Sequence, residues 1–297
     1  MIVNYPRMRR RAAWPNDLDT ALQFTSANPF SISAPKSWDG KIEYTNGSGW
    51  QTWDGSEITS GKTGSNHCIY LRGTGNSKIT GTESASAKWN ITGVNIFCSG
   101  DIDRLLDYAT VKNGNHPAMA YYCYAFMFYG CTSLMTAPSL PATTLKPYCY
   151  KSMFSGCTSL MTAPSLPATT LKNDCYGFMF RGCTSLMTAP SLPATTLEGG
   201  CYESMFRGCT SLMTAPSLPA TTLKSYCYES MFSGCTKLKL SSTASGTYTK
   251  VYRIPKSGTG EGSSFSMGNM FANTGGAFKG TPKINTTYYL DKSNTIV

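Results

Sequence analysis

Between Cys123 and Leu238 the apolar positions recur with a period of 26 residues, much longer than the period of a strand or a helix. Each unit opens on Cys-Tyr, continues through a Met-Phe pair to a second cysteine, and leaves through a Leu-Pro phrase. From Cys149 the chain reads CYKSMFSGCTSLMTAPSLPATTLKND, and from Cys175 the same phrase begins again. A unit of this size cannot bury its own apolar face, so such a period predicts units stacked on one another. Stacking turns each recurring position into a row. Phe128, Phe154, Phe180, Phe206 and Phe232 are then a continuous core ladder with the repeated leucines. Tyr124, Tyr150, Tyr176, Tyr202 and Tyr228 are not assigned to the core outright, because a tyrosine can keep its hydroxyl wet while burying its ring. Gly130, Gly156, Gly182, Gly208 and Gly234, each just before the second cysteine, mark a sharp turn. Pro138 and Pro141, with their counterparts in later units, hold an extended corner.

Ahead of the repeats the period drops to two. Lys41–Thr45 alternates, Asn46-Gly47 supplies a turn, and Trp50–Trp53 follows, which reads as a hairpin. Cys68–Arg72 and Val94–Cys98 alternate in the same way, and Asp101–Tyr108 reads as one short helix. After Leu240 the repeat decays, although Met270–Gly276 echoes it. The expected architecture is therefore mainly β. A basic arm at 1–19 precedes a small antiparallel β-sandwich at 20–110, a repeat solenoid of about five coils at 111–240 and an irregular cap at 241–297.

Composition narrows the chemistry. Charged residues make up only 14% of the chain and the net charge is +10, which permits acidic partners without selecting one. No apolar run is long enough to span a membrane, so no membrane insertion is expected. The first residues lack the apolar core of a secretory signal, which predicts folding in a reducing cytosol. Ten of the twelve cysteines fall in two ladders. Their Cys-x7-Cys spacing is unlike that of a zinc site, and buried free thiols are the favoured reading, with disulfides the alternative in an oxidising medium. His67 and His116 lie near no nucleophile phrase. Asp101 and Asp103 form a weak cation signal, and nothing brings Glu43 and Glu57 together. No catalytic residue, metal or cofactor is expected.

The phrase Met127-Phe128-Tyr129-Gly130-Cys131-Thr132-Ser133-Leu134, with Pro141 beyond it, resembles the leucine-rich repeats of the bacterial surface-antigen (BspA) type. Two departures are a longer unit and Met in place of the usual Ala before Phe. Such wording is similar to that of proteins of gut Bacteroidales and their bacteriophages. The resemblance implies a non-enzymatic virion protein of fibre or decoration type, made in the host cytoplasm, that presents a repeat rod for adhesion to a host-surface protein or glycan. A bacterial cell-surface adhesin is the alternative. Phage fibres also suggest a homotrimer.

Residues with assignable roles are few. Arg7, Arg9, Arg10, Arg11 and Trp14 are the candidates for anchoring to other virion proteins. Within the repeats, variation is confined mainly to the three residues before each first cysteine, the two after Cys-Tyr, and the one after Phe. Tyr148, Asp174, Arg181, Arg207 and Tyr226 are the ligand-binding candidates at these positions, although a merely tolerant surface would vary in the same way. Trp50 and Trp53, with Tyr148 and Tyr226, are candidates for stacking on sugars.

Overall fold

The computed structural model describes residues 14–47 and 49–297. The chain is mainly β with little helix, and no helix among the described residues is long and apolar enough to cross a membrane.

The period-two segments form paired strands. Leu22–Ser26 lies between Asn66–Thr74 and Ile96–Ser99, antiparallel to both. Lys41–Thr45 and Gln51–Trp53 form the expected hairpin with Ile42 opposite Trp53, and the first of these strands also pairs with Asn66–Thr74. A separate three-stranded sheet sets Ser31–Ser33 between Ile58–Thr59 and Asn90–Thr92. The first repeat joins the larger sheet directly: its Leu134–Thr136 strand runs parallel to Ile96–Ser99, with Leu134 opposite Ile96. Aromatic contacts cross the same junction. Trp38 stacks on Trp53 at 5.1 Å, Trp89 meets Trp53 edge-on, and Phe128 of the first repeat meets both Trp89 and Phe24 at 6.2 Å. Each such buried ring stabilises by about 2 kcal/mol, so the strands and the first repeat share one core.

The α-helix spans Arg104–Lys112, starting later and ending later than the sequence suggests. Asp101 delays it by accepting the Asp103 N–H at 2.9 Å. Asp107 then leaves helical geometry (φ −154°, ψ 100°), and its carboxylate accepts the Thr110 N–H at 2.9 Å, capping the turn that follows.

Inside the repeats the backbone follows a two-beat rule, seen in full from Tyr148 to Cys157. Odd-numbered N–H groups bond three residues back (Lys151 to Tyr148, Met153 to Tyr150, Ser155 to Ser152, Cys157 to Phe154), while even-numbered ones cross to the next repeat (Tyr150 to Cys175, Ser152 to Gly177, Phe154 to Met179, Gly156 to Arg181). The third residue of alternate turns takes a left-handed φ: Tyr148 at 62°, Ser152 at 54° and Gly156 at 77°. Glycine was expected at only the last of these. The other two hold a conformation that costs an L-residue about 1–2 kcal/mol, because abandoning it would break the bonds on either side.

Crossing bonds bring equivalent rings face to face. The phenylalanine ladder runs from Phe128 to Phe271 with centroid steps of 5.5–5.8 Å, and the tyrosine ladder from Tyr124 to Tyr228 with steps of 5.5–5.9 Å. The tyrosine residues are buried as a row, and the hydroxyls of Tyr124, Tyr150 and Tyr228 are buried with their rings. Tyr124 Oη donates to Asp103 Oδ1 at 3.0 Å, whereas Tyr150 Oη and Tyr228 Oη have no partner among the described residues. All twelve cysteines are buried free thiols.

The stack has polarity. Each repeat donates N–H groups forward and offers carbonyls backward, so its first member would expose acceptors and its last member donors. At the leading end, Ile79 N–H bonds the Cys123 carbonyl and Trp89 N–H bonds that of Met127. At the trailing end, residues 263–274 add a degenerate further turn: Tyr228, Ser230, Phe232 and Gly234 donate to Ser266, Gly268, Met270 and Ala272. Asn269 N–H is then met by Thr281 Oγ1, and Phe271 N–H by the Gly280 carbonyl. Tyr252 and Phe278 close over Phe271 edge-on.

Candidate binding faces

Of the proposed anchoring residues, Arg7, Arg9, Arg10 and Arg11 lie outside the described residues. Trp14 is half-buried, its ring edge-on to Tyr70 at 5.5 Å. Asp17 fixes the nearby chain by accepting from Arg72 at 2.5 Å and from Trp50 Nε1 at 2.8 Å. The Arg72 guanidinium also lies 4.0 Å from the Trp50 ring and 4.3 Å from that of Tyr108. One face of Trp50 is thus occupied, and Trp53 is buried with its indole N–H bonded to the Ser56 carbonyl at 2.7 Å. The Trp53 ring is therefore not a free platform for a sugar. Glu43 is spoken for as well: burial acts to raise its carboxyl, but Lys41 and Arg72 outweigh that and hold it below the ordinary range.

The variable positions form two clusters along one side of the stack. In the first, Tyr148 stacks on Tyr122 at 4.6 Å. Lys151 Nζ bonds Asp174 Oδ1 at 2.7 Å and sits over Tyr148 at 5.2 Å and Phe178 at 5.7 Å, while Arg181 lies 6.0 Å from the same Phe178 ring. Tyr148, Asp174 and Arg181 are therefore brought together, with Lys151 and Phe178 as the links. Tyr226 belongs to a second cluster, stacked on the exposed Phe265 at 5.8 Å. Gly200 separates the two. A side chain there would press on the Asp174 carboxylate, at 3.0 Å from the added carbon. Beside it Glu203 is raised, first by burial and then by Asp174 and Glu229. Arg207 is exposed.

A different face carries a groove of about 570 Å³, and apart from Asn95 and Lys237 its lining comes from letters that do not vary between units. Met135, Met161, Met187 and Met213 form its floor; Ser159, Ser185 and Ser211 flank them; Asn95 and Lys237 close the ends. The geometry follows from strand alternation. In each Leu-Met-Thr phrase the leucine enters the core and the methionine points out, and bridges Thr136 to Thr162 and Thr162 to Thr188 hold neighbouring phrases side by side. Met161 is 48% and Met187 50% exposed, unusual for a large apolar side chain repeated in a row. Sequence comparison between units missed this groove because it looked for differences. Alternation inside the invariant phrase was the available signal.

The aspartates flagged for cation binding are arranged otherwise. Asp103 is fully buried, with Tyr124 Oη on one oxygen and His116 Nδ1 3.4 Å from the other. Burial first, and Asp101 second, push its carboxyl up to about 6. Among the described residues no group of three or more His, Cys, Asp or Glu side chains converges as a metal site. Comparison with protein-family profiles, curated proteins and solved structures finds no match.

Proposed function

We propose that this chain is a non-enzymatic adhesion component of leucine-rich-repeat type: a β-sandwich region leading into a solenoid of about five coils with a closing cap. In this reading it belongs to a bacteriophage virion as a fibre or decoration protein, and the repeats meet a protein or glycan of the host surface. The resemblance of the Met-Phe-x-Gly-Cys phrase supports the virion setting. One structural observation carries the binding role, namely the row of outward-facing methionines over four successive repeats. A scaffold with no ligand would gain nothing from exposing Met161 and Met187, since apolar side chains in water raise the risk of aggregation without adding core. Methionine suits an adhesive face because its unbranched, polarizable side chain adapts to an irregular partner.

The test is adhesion of the purified protein to intact gut Bacteroidales cells, read by flow cytometry beside a Met161→Glu/Met187→Glu double variant. Loss of adhesion in a variant that melts like the parent supports the reading, and equal adhesion overturns the role of this face. Immunogold labelling of phage particles against uninfected cells separates the virion setting from a cell-surface one.

A further inference from the structure

Within that binding role, the dimensions of the methionine groove select one class of partner. The groove runs along the stacking axis, so a ligand lying in it meets one methionine per repeat. Neighbouring strands lie about 4.8 Å apart, and the ring ladders within the core step by 5.5–5.9 Å. We take the one-repeat step between methionines to lie between these values. An α-helix advances about 5.4 Å per turn, inside the bracket. An extended peptide presents same-face side chains about every 6.6 Å, outside it. Over the three steps from Met135 to Met213 the helix drifts from register by about 2 Å at most, which flexible thioethers absorb. The strand drifts by about 2 to 5 Å, enough to move a side chain from one methionine toward the next.

The ends of the groove fix a direction. In the last repeat the phrase changes from Thr-Ser-Leu-Met to Thr-Lys-Leu-Lys, so Lys237 replaces the flanking serine and Lys239 the methionine. Lys237 lines the groove end, while the opposite end is closed by the neutral Asn95. Among the described residues no acidic side chain lines the groove. A helix lying with its C-terminus at Lys237 places its partial negative charge, and any acidic residues in its last turn, against a cation.

We infer that the groove receives an amphipathic α-helix of a partner protein, about 15 residues long at 1.5 Å per residue, with an apolar stripe at i, i+4, i+7 and i+11 and an acidic C-terminal turn. Ser159, Ser185 and Ser211 meet the polar border of the helix, and the apolar stripe rests on the methionines. This inference rests on the adhesive reading above but commits to protein rather than glycan.

The probe is a fluorescein-labelled synthetic helix with leucines at that spacing and glutamates in its last turn. It is compared with a peptide of equal composition whose leucines alternate every second position, and with one broken by a central proline. Fluorescence anisotropy is expected to show at least tenfold tighter binding of the helical peptide, with a gain of helical circular dichroism on mixing. Met161→Glu/Met187→Glu is expected to lose that binding and Met161→Leu/Met187→Leu to keep it, both with unchanged melting. Lys237→Glu weakens it several-fold at low salt, and a peptide ending in lysines recovers the loss. Equal affinity for the helical and alternating peptides, or undiminished binding by the glutamate variant, overturns the inference. If the glutamate variant loses adhesion to cells while the peptides are not distinguished, the adhesive role stands and the helix falls.

Discussion

The thiol of Cys183 donates to the carbonyl of Phe154, one repeat earlier, at 3.1 Å. Cys157 and Phe128, Cys209 and Phe180, and Cys235 and Phe206 repeat the relation at 3.0–3.1 Å. Each of these carbonyls already accepts a backbone N–H from within its own repeat, so the thiol takes the second lone pair. This is why cysteine recurs at the site: it is small, apolar and still a weak donor. Cys183→Ala is expected to lower stability by about 1 kcal/mol, with Cys183→Val worse through overpacking, both read from denaturant midpoints. Burial pushes these thiols up, Cys209 to about 12, and only the thiolate reacts. Iodoacetamide should therefore leave the native protein unlabelled and modify all twelve cysteines after unfolding, as counted by mass spectrometry.

Two tyrosines of one ladder should respond oppositely to loss of the hydroxyl. Tyr124 Oη bonds Asp103, while Tyr150 Oη is buried with no partner among the described residues. Tyr150→Phe removes an unsatisfied polar group and is expected to be neutral or stabilising, whereas Tyr124→Phe should cost about 1–3 kcal/mol by leaving a buried carboxylate short of a donor. Thermal melts of the two variants decide the matter; equal losses would refute it.

Asp103 gives stability a pH dependence of unusual sign. Its folded carboxyl titrates near 6, above the ordinary value of 3.8, so between these values the folded chain holds a proton that the unfolded chain has released. Its contribution is fully present below about pH 4 and is lost as pH rises through about 6. Two pH units correspond to about 3 kcal/mol. Asp103→Asn keeps an acceptor for Tyr124 and removes the titration. It should be more stable than the parent at pH 7, with the difference vanishing near pH 4. A constant difference across that range would show that Asp103 is not the group responsible.

The left-handed serines offer a direct gain. Ser152 (φ 54°) and Ser204 (φ 50°) are buried where glycine carries no penalty. Ser152→Gly and Ser204→Gly are each expected to raise stability by up to about 1 kcal/mol, and Ser204→Val to lower it by more. Unfolding midpoints in urea provide the check.

What the sequence made legible was whatever a local rule controls. Gly130 and its counterparts announce their turns, Phe128 and its row announce a core, and Asn46-Gly47 announces a hairpin. Tyr148 and Ser152 gave no sign of their backbone state, because crossing bonds to Asn173 and Gly177 impose it, and neither residue type favours it alone. The Asp103 pocket was hidden for a related reason: Tyr124 and His116 reach it from separate turns of chain. Of the residues proposed for recognition, Tyr148, Asp174 and Arg181 do meet, through a lysine that variation marked and a phenylalanine it marked equally. The methionines escaped notice because perfect repetition resembles scaffolding, and only their exposure distinguishes them from Leu134 and its row.

The one-way flow of backbone hydrogen bonds gives every junction between repeats the same crossing backbone pattern. A whole 26-residue unit can be gained or lost without either end meeting an unfamiliar neighbour, since the leading strands still see carbonyls and the closing segment still sees amides. Length in this molecule is therefore a copy number. The reach of the groove would change in steps of one methionine, with its terminal lysine carried along unchanged.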